Sequence, residues 1–111
     1  MLKIRQRQLD ALEESTQEAL VLDVMERLQA RYPEIALEPP DLWNSFIANK
    51  LSYASVLGLE GADSARFVEY HIEFGRQFMR DPRYQWVRSV LLDRFRAGDE
   101  RIREIDDVYF R

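Results

Sequence analysis

The sequence predicts an all-α fold of four to five helices opening with a long N-terminal helix, and three observations carry that prediction. Apolar residues recur at three- and four-residue spacing along most of the chain, with no sustained alternation of the kind a strand needs. Only four glycines and four prolines occur in 111 residues, so connections must be short. Most of the breakers fall between the periodic segments, at Pro33, Pro39-Pro40, Gly58, Asp81-Pro82 and Ala97-Gly98-Asp99. A chain of this length suits a single domain spanning residues 1–111, able to bury about two-thirds of its unfolded surface without covalent staples.

The first helix is expected from Arg5 to Tyr32. Leu9, Leu12, Leu20, Val24 and Leu28 form its stripe, widened by Val21, Leu22 and Met25, while Glu13, Glu14, Glu18, Asp23 and Glu26 face water. Pro33 ends it, because proline cannot extend the hydrogen-bond ladder and disfavours a helical residue before it. Glu34–Glu38 reads as a linker anchored by Ile35 and Leu37. Pro40 sits in the tolerated first turn of a second helix running to Leu57, with Trp43, Phe46, Ile47, Leu51 and Ala54 or Ser55 on one face. Gly58 is placed as a left-handed C-cap, with Leu59 packing back on the helix end.

A third helix is expected to begin between Glu60 and Ser64, capped by Asp63 alone or together with Glu60, and to continue to Arg80. Phe67, His71, Phe74 and Phe78 give it the densest aromatic stripe in the chain, which argues for a central place in the core. Asp81-Pro82 restarts the chain as N-cap and first helical residue of a fourth helix reaching Arg96, carrying Trp86, Val87, Val90, Leu91 and Phe95. A fifth helix from Asp99 to Val108 carries Ile102, Ile105 and Val108.

Composition narrows the function. Cysteine is absent, which removes disulfides, thiolate metal sites and cysteine nucleophiles. No apolar run has membrane-spanning length, and the opening Met1-Leu2-Lys3-Ile4-Arg5-Gln6 lacks a signal-peptide core, so a cytoplasmic protein without membrane contact is expected. The net charge of −4 is unevenly spread: residues 10–41 hold nine acids against Arg27 and Arg31, a net −7, whereas residues 61–111 hold ten acids and ten arginines. Nucleic acid is not an expected partner, since phosphate backbones call for clustered positive charge.

No reaction centre is legible. His71 is the one histidine; its place between Phe67 and Phe74 fits a structural or partly exposed side chain better than a general base or metal ligand. Neighbouring acids such as Glu13-Glu14 and Asp106-Asp107 diverge on a helix, and Asp99–Glu104 alternates in sign like a solvated, salt-bridged face. Phosphate-cradling glycine loops and nucleophile elbows are missing. The expectation is therefore a non-enzymatic protein with no cofactor and no metal.

Surfaces carry more. Arginine outnumbers lysine fourteen to two, and Arg76, Arg80, Arg83 and Arg88 gather around the Asp81-Pro82 turn, where they can dock an acidic partner. Tyr84 in that turn, with Tyr109 and Phe110 near the end, are candidate aromatic contacts. Glu14 and Glu18 represent the acidic face of the first helix, a second candidate contact surface for a basic partner. For each of these a plain solvated or packed surface is the competing reading.

The order of several short elements adds a resemblance. Leu2-Lys3-Ile4-Arg5 with Gln8, Arg31-Tyr32-Pro33, Tyr53-x4-Gly58-Leu59, Asp63-x2-Arg66-Phe67-Val68, Phe74-Gly75-x2-Phe78, Asp81-Pro82 and Trp86-x4-Leu91 together cover most of the chain. The pattern resembles a family of small helical accessory proteins encoded beside effector genes of bacterial type VI secretion systems. Two features depart from it: Glu60-Gly61 stands where members open the next helix with serine or threonine, and Trp43 has no counterpart. The resemblance implies a co-chaperone or adaptor that helps a larger adaptor chaperone load a secreted effector, with no catalytic residues to carry over. The alternative is an immunity protein that neutralises the effector's toxic domain, for which the −7 segment is suited. A homo-oligomeric helix bundle without a client is a further reading.

Overall fold

The computed structural model describes residues 18–110 and is all-α. Helix α1 is described over 18–31, followed by a 3₁₀ turn at Pro33–Leu37 and helix α2 at Pro40–Val56. Helix α3 spans Gly61–Glu73, two 3₁₀ turns occupy Phe78–Arg80 and Pro82–Tyr84, and helices α4 and α5 cover Gln85–Leu91 and Gly98–Tyr109. No strand occurs among the described residues. The part of the first helix expected upstream of residue 18, with Glu13 and Glu14, lies outside the described residues. Chain contacts divide the protein between Ala48 and Asn49 into two compact units.

In the N-terminal unit, α1 buries Val24, Met25 and Leu28, one stripe at helical spacing, and leaves Glu18, Asp23 and Glu26 exposed. Leu22, expected to widen that stripe, is instead exposed. The helix closes as Tyr32 N–H donates to the Leu28 carbonyl, just before Pro33. Ile35 is buried as an anchor of the following turn, but Leu37 is 87% exposed, because a 3₁₀ turn carries residues two apart away from a shared face. Buried Trp43 satisfies its indole N–H on Glu38 Oε2 at 2.8 Å and meets Phe46 edge-on.

The C-terminal unit begins within α2, whose Leu51 and Ala54 are buried. The end of α2 is a Schellman motif: Leu59 N–H bonds the Ala54 carbonyl, Gly58 N–H bonds that of Ser55, and Gly58 takes φ +81°. Leu59 is buried beside it, as the glycine signature predicts.

Helix α3 is buried without interruption from Ser64 to His71, so solvent-facing polarity cannot account for Arg66, Glu69 and His71. Each is partnered instead. Arg66 Nε donates to both Asp106 carboxylate oxygens at 3.0 and 3.2 Å, and its Nη1 to Glu69 Oε2 at 3.0 Å. Tyr70 OH donates to Asp106 Oδ1 at 2.7 Å, and the Arg66 guanidinium covers the Phe110 ring at 4.5 Å. Burial opposes the Arg66 charge, but the Asp106 and Glu69 carboxylates prevail and hold its pKa above the ordinary value. Burial, then the hydrogen bond to Asp106, raises the Tyr70 phenol.

The third helix stops seven residues short of the expected Arg80. Phe74 N–H still bonds the Tyr70 carbonyl, but Gly75 turns to φ +114°, a backbone no continuing helix adopts. Glu60 occupies the N-cap position without a side-chain bond, so the expected acidic cap is replaced by the Asp63 N–H to Glu60 carbonyl contact. Asp81 does cap as expected, its Oδ1 accepting from Arg83 N–H at 3.0 Å, though the turn it starts is 3₁₀ before α4 begins. Helix α4 ends at Leu91 rather than Arg96. Asp93 Oδ1 accepts from Phe95 N–H and turns the chain out, leaving Phe95 fully exposed.

Arg101 explains how the two helix ends meet. Its buried Nη1 donates to the Leu57 carbonyl at 2.8 Å and to the Leu91 carbonyl at 2.7 Å, closing the C-terminal ends of α2 and α4 with one cation. Helix α5 packs against α3 and α4, setting Ile102 and Ile105 into a core with Ala54, Leu57, Leu59, Phe67, Tyr70, Phe78, Val87 and Leu91.

Candidate functional site: a cationic cleft

The C-terminal unit carries a cleft of about 460 Å³, within the range of small-molecule and peptide sites. It is lined by Lys50 and Tyr53 from α2, His71 from α3, Arg76 and Gln77 from the loop after it, Met79 and Arg80 from the first of the two 3₁₀ turns that follow, and Arg88 from α4. Early termination of α3 builds this wall. The Gly75 reversal carries Arg76 and Gln77 out of the helix line, and the 3₁₀ turn then brings Arg80 to the face that α4 presents at Arg88.

The floor is rigid. The His71 ring stands edge-on to Phe67 and to Phe78, each at 4.7 Å between centres, and His71 Nδ1 lies 2.9 Å from the Phe67 carbonyl. A carbonyl only accepts, so Nδ1 carries the proton. Burial pushes the imidazole pKa down to about 4, with the Lys50 charge lowering it further against that hydrogen bond, and the ring is neutral at pH 7. Of the two places the sequence left open for His71, structural or partly exposed, the ring takes the buried one. Tyr53 stacks on Phe67 at 5.6 Å and 8°, fixing its ring at the mouth.

Charge sets the character of the cleft. Four of its eight lining side chains are cationic and none is a carboxylate, in a chain of net charge −4. The Lys50 ammonium is pushed below its ordinary pKa by partial burial and then by the positive charge of Arg80. Arg80 and Arg88 have no carboxylate partner among the described residues. Arginine forks suit carboxylate or phosphoryl oxygens, so an anionic group is what this arrangement can hold.

Of the sequence-derived contact residues, Arg76, Arg80 and Arg88 come together here. Arg83 does not line the cleft; its Nη2 pairs with Asp81 Oδ2 at 2.8 Å. Tyr84 is half-buried, stacked on Phe74 at 4.9 Å. Tyr109 stands against Phe74 and Trp86, and Phe110 against Tyr70, extending that aromatic cluster. Glu18 is exposed on α1 in the N-terminal unit, and Glu14 lies outside the described residues. Sequence reasoning missed Lys50, Tyr53, Gln77 and Met79. A signal existed for two: Lys50 and Tyr53 are three apart on one helix face, beside the apolar stripe.

Among the described residues no group of three or more His, Cys, Asp or Glu is placed to hold a metal ion, and no helix is long and apolar enough to cross a membrane. Comparison with protein-family models, curated proteins and solved structures finds no match.

Proposed function

We propose that this chain is a protein-binding module, a co-chaperone or adaptor that engages an acidic segment of its partner through the cationic cleft. The partner class is the secreted effector of a type VI system or the larger adaptor chaperone that carries it, as the sequence resemblance implies. One observation supports the mode of binding above others: Lys50, Arg76, Arg80 and Arg88 converge on one concave surface without a carboxylate among its lining residues. Such a surface steers an acidic partner and fixes it by bidentate contacts, which is stoichiometric work rather than catalysis.

The test is affinity capture from the native bacterium with the tagged wild-type chain and the Arg80→Glu/Arg88→Glu variant, with partners identified by mass spectrometry. Recovery of an effector, spike protein or adaptor chaperone by the wild type alone supports the reading. Equal recovery by both proteins removes the cleft from it, and recovery of no secretion component removes the partner class.

A second reading is favoured by a different observation, the −7 charge of residues 10–41, whose Glu18, Asp23 and Glu26 are exposed on α1. An immunity protein would set such a face against a basic toxin cleft. Rescue of cells producing the toxic domain alone distinguishes it, because an adaptor is needed for export and does not rescue.

A further inference from the structure

A second surface of the C-terminal unit lies outside the cleft. Phe74 at the end of α3, Tyr84 in the second 3₁₀ turn, Trp86 on α4, Tyr109 at the end of α5 and Phe110 just after it bring their rings together. None of them lines the cleft. Phe74 is the base: it stacks on Tyr84 at 4.9 Å, meets Tyr109 edge-on at 5.0 Å and packs on buried Phe78. Tyr109 in turn touches Trp86 at 6.2 Å and 44°. The outer rings are therefore held by neighbours before any ligand arrives, which spares part of the ordering cost of binding.

Hydrogen bonding, charge and area each narrow the occupant. The Trp86 indole N–H and the Tyr84 and Tyr109 hydroxyls have no hydrogen-bond partner among the described residues, whereas the buried Tyr70 hydroxyl and Trp43 indole are both satisfied. An indole N–H only donates and a phenol donates readily, so the surface calls for acceptors. Charge asks for none in return. The guanidinium groups beside these rings are already paired, Arg83 near Tyr84 with Asp81 and Arg66 over Phe110 with Asp106. Neighbouring ring centres at 4.9 to 6.5 Å are in mutual contact, leaving no gap for a cation to enter between them. Trp86 and Tyr109 are each 41% exposed, which amounts to roughly 60–100 Å² apiece. With the half-buried rings the patch is on the order of 300 Å², far below the roughly 800 Å² per partner of a stable interface between folded proteins. A second copy of this chain is thereby disfavoured, and an uncharged linear segment fits. A polyproline II segment meets all three conditions: proline has no N–H, the carbonyls are free of internal hydrogen bonds, and apolar pyrrolidine rings lie on aromatic faces in a preset conformation.

We propose that this aromatic surface docks a proline-rich segment of a partner protein in the polyproline II conformation, with Trp86, Tyr84 and Tyr109 donating to its carbonyls. The site is separate from the cationic cleft and stands or falls independently of it.

The test is titration of the isotope-labelled full chain with decaproline, read at the indole N–H resonances, with affinities from isothermal titration. A glycine–serine peptide of the same length, choline and cellohexaose serve as the flexible-chain, cation and sugar alternatives. The expected result is one decaproline per chain and a saturable shift of the Trp86 indole signal, while the Trp43 indole, held by Glu38, stays in place. Trp86→Phe and Tyr109→Phe each keep a ring and lose a donor; each should weaken binding about fivefold at an unchanged urea midpoint. Arg103→Gln, on the exposed face of α5, should bind as wild type. An unmoved Trp86 signal, equal binding of the glycine–serine peptide, tighter binding of choline or cellohexaose, or full affinity in both phenylalanine variants would overturn the proposal.

Discussion

Arg101→Met is the most informative single perturbation of the fold. In the wild type one buried nitrogen satisfies the Leu57 and Leu91 carbonyls, the last turns of two helices. Hydrogen bonds from a charged donor contribute about 1.5–3 kcal/mol each, and two sharing one nitrogen fall short of twice that. Methionine keeps much of the side-chain volume, so the cavity contribution is small, and it removes the cost of burying a guanidinium. Two buried carbonyls losing their common partner set the balance, for a net destabilisation of about 2–4 kcal/mol. With an m-value of about 2 kcal/mol per molar, midway in the usual range for urea, the urea midpoint should fall by about 1–2 M at unchanged slope. Hydrogen exchange should accelerate most in the final turns of α2 and α4. Arg101→Lys, which keeps a charged donor, should lie between the two. A methionine variant within about 0.5 kcal/mol of wild type would refute the reasoning, since it would mean that water or local repacking replaces the double cap.

Three further predictions concern groups whose surroundings are specific. His71 titrates near 4 when folded against 6.5 unfolded, so its contribution is complete above pH 6.5 and is lost as the pH falls toward 4. Up to roughly 3 kcal/mol rides on that window, and urea titrations at pH 7.5 and 5 should show a smaller drop for His71→Gln than for wild type. Asp106→Asn leaves Arg66 with a weaker acceptor; because the Asp106 side chain is 34% exposed, the expected loss is about 1–3 kcal/mol in thermal or urea unfolding. Gly75→Ala forces a side chain into φ +114° and should destabilise by about 1–3 kcal/mol although nothing lies within 4 Å of the new methyl group; an alanine variant as stable as wild type would show that the loop relaxes freely.

Much of the fold was legible because its signals are local. Gly58-Leu59 announces a C-cap within two residues, and Asp81-Pro82 announces a restart within two; both occur as expected. The all-α class follows from the same short-range spacing. What the spacing could not show depends on distant partners. The stop at Leu91 is fixed by an arginine ten residues away that also holds Leu57, so the apolar period running through Phe95 overstated α4. The third helix is expected to run through Gly75 to Arg80, and the break there leaves Phe74 and Phe78 packed ring to ring across the reversal, a contact that local spacing does not show. The same break hid part of the cleft: on an unbroken helix Arg76 and Arg80 would form a simple surface pair, and Lys50 joins them from α2, a partner distant in sequence. The arginine cluster itself was visible, but which members converge was not. Arg83 is diverted by Asp81, the very residue that caps the turn.

The central claim is that the cleft is where an anionic partner docks. The most direct measurement is quantitative binding of the captured partner to the wild type and to Arg80→Glu/Arg88→Glu, at low and at high salt. The account predicts affinity that falls steeply with salt in the wild type and is lost in the variant, while both proteins unfold at the same urea concentration. Undiminished binding by a folded variant would contradict it.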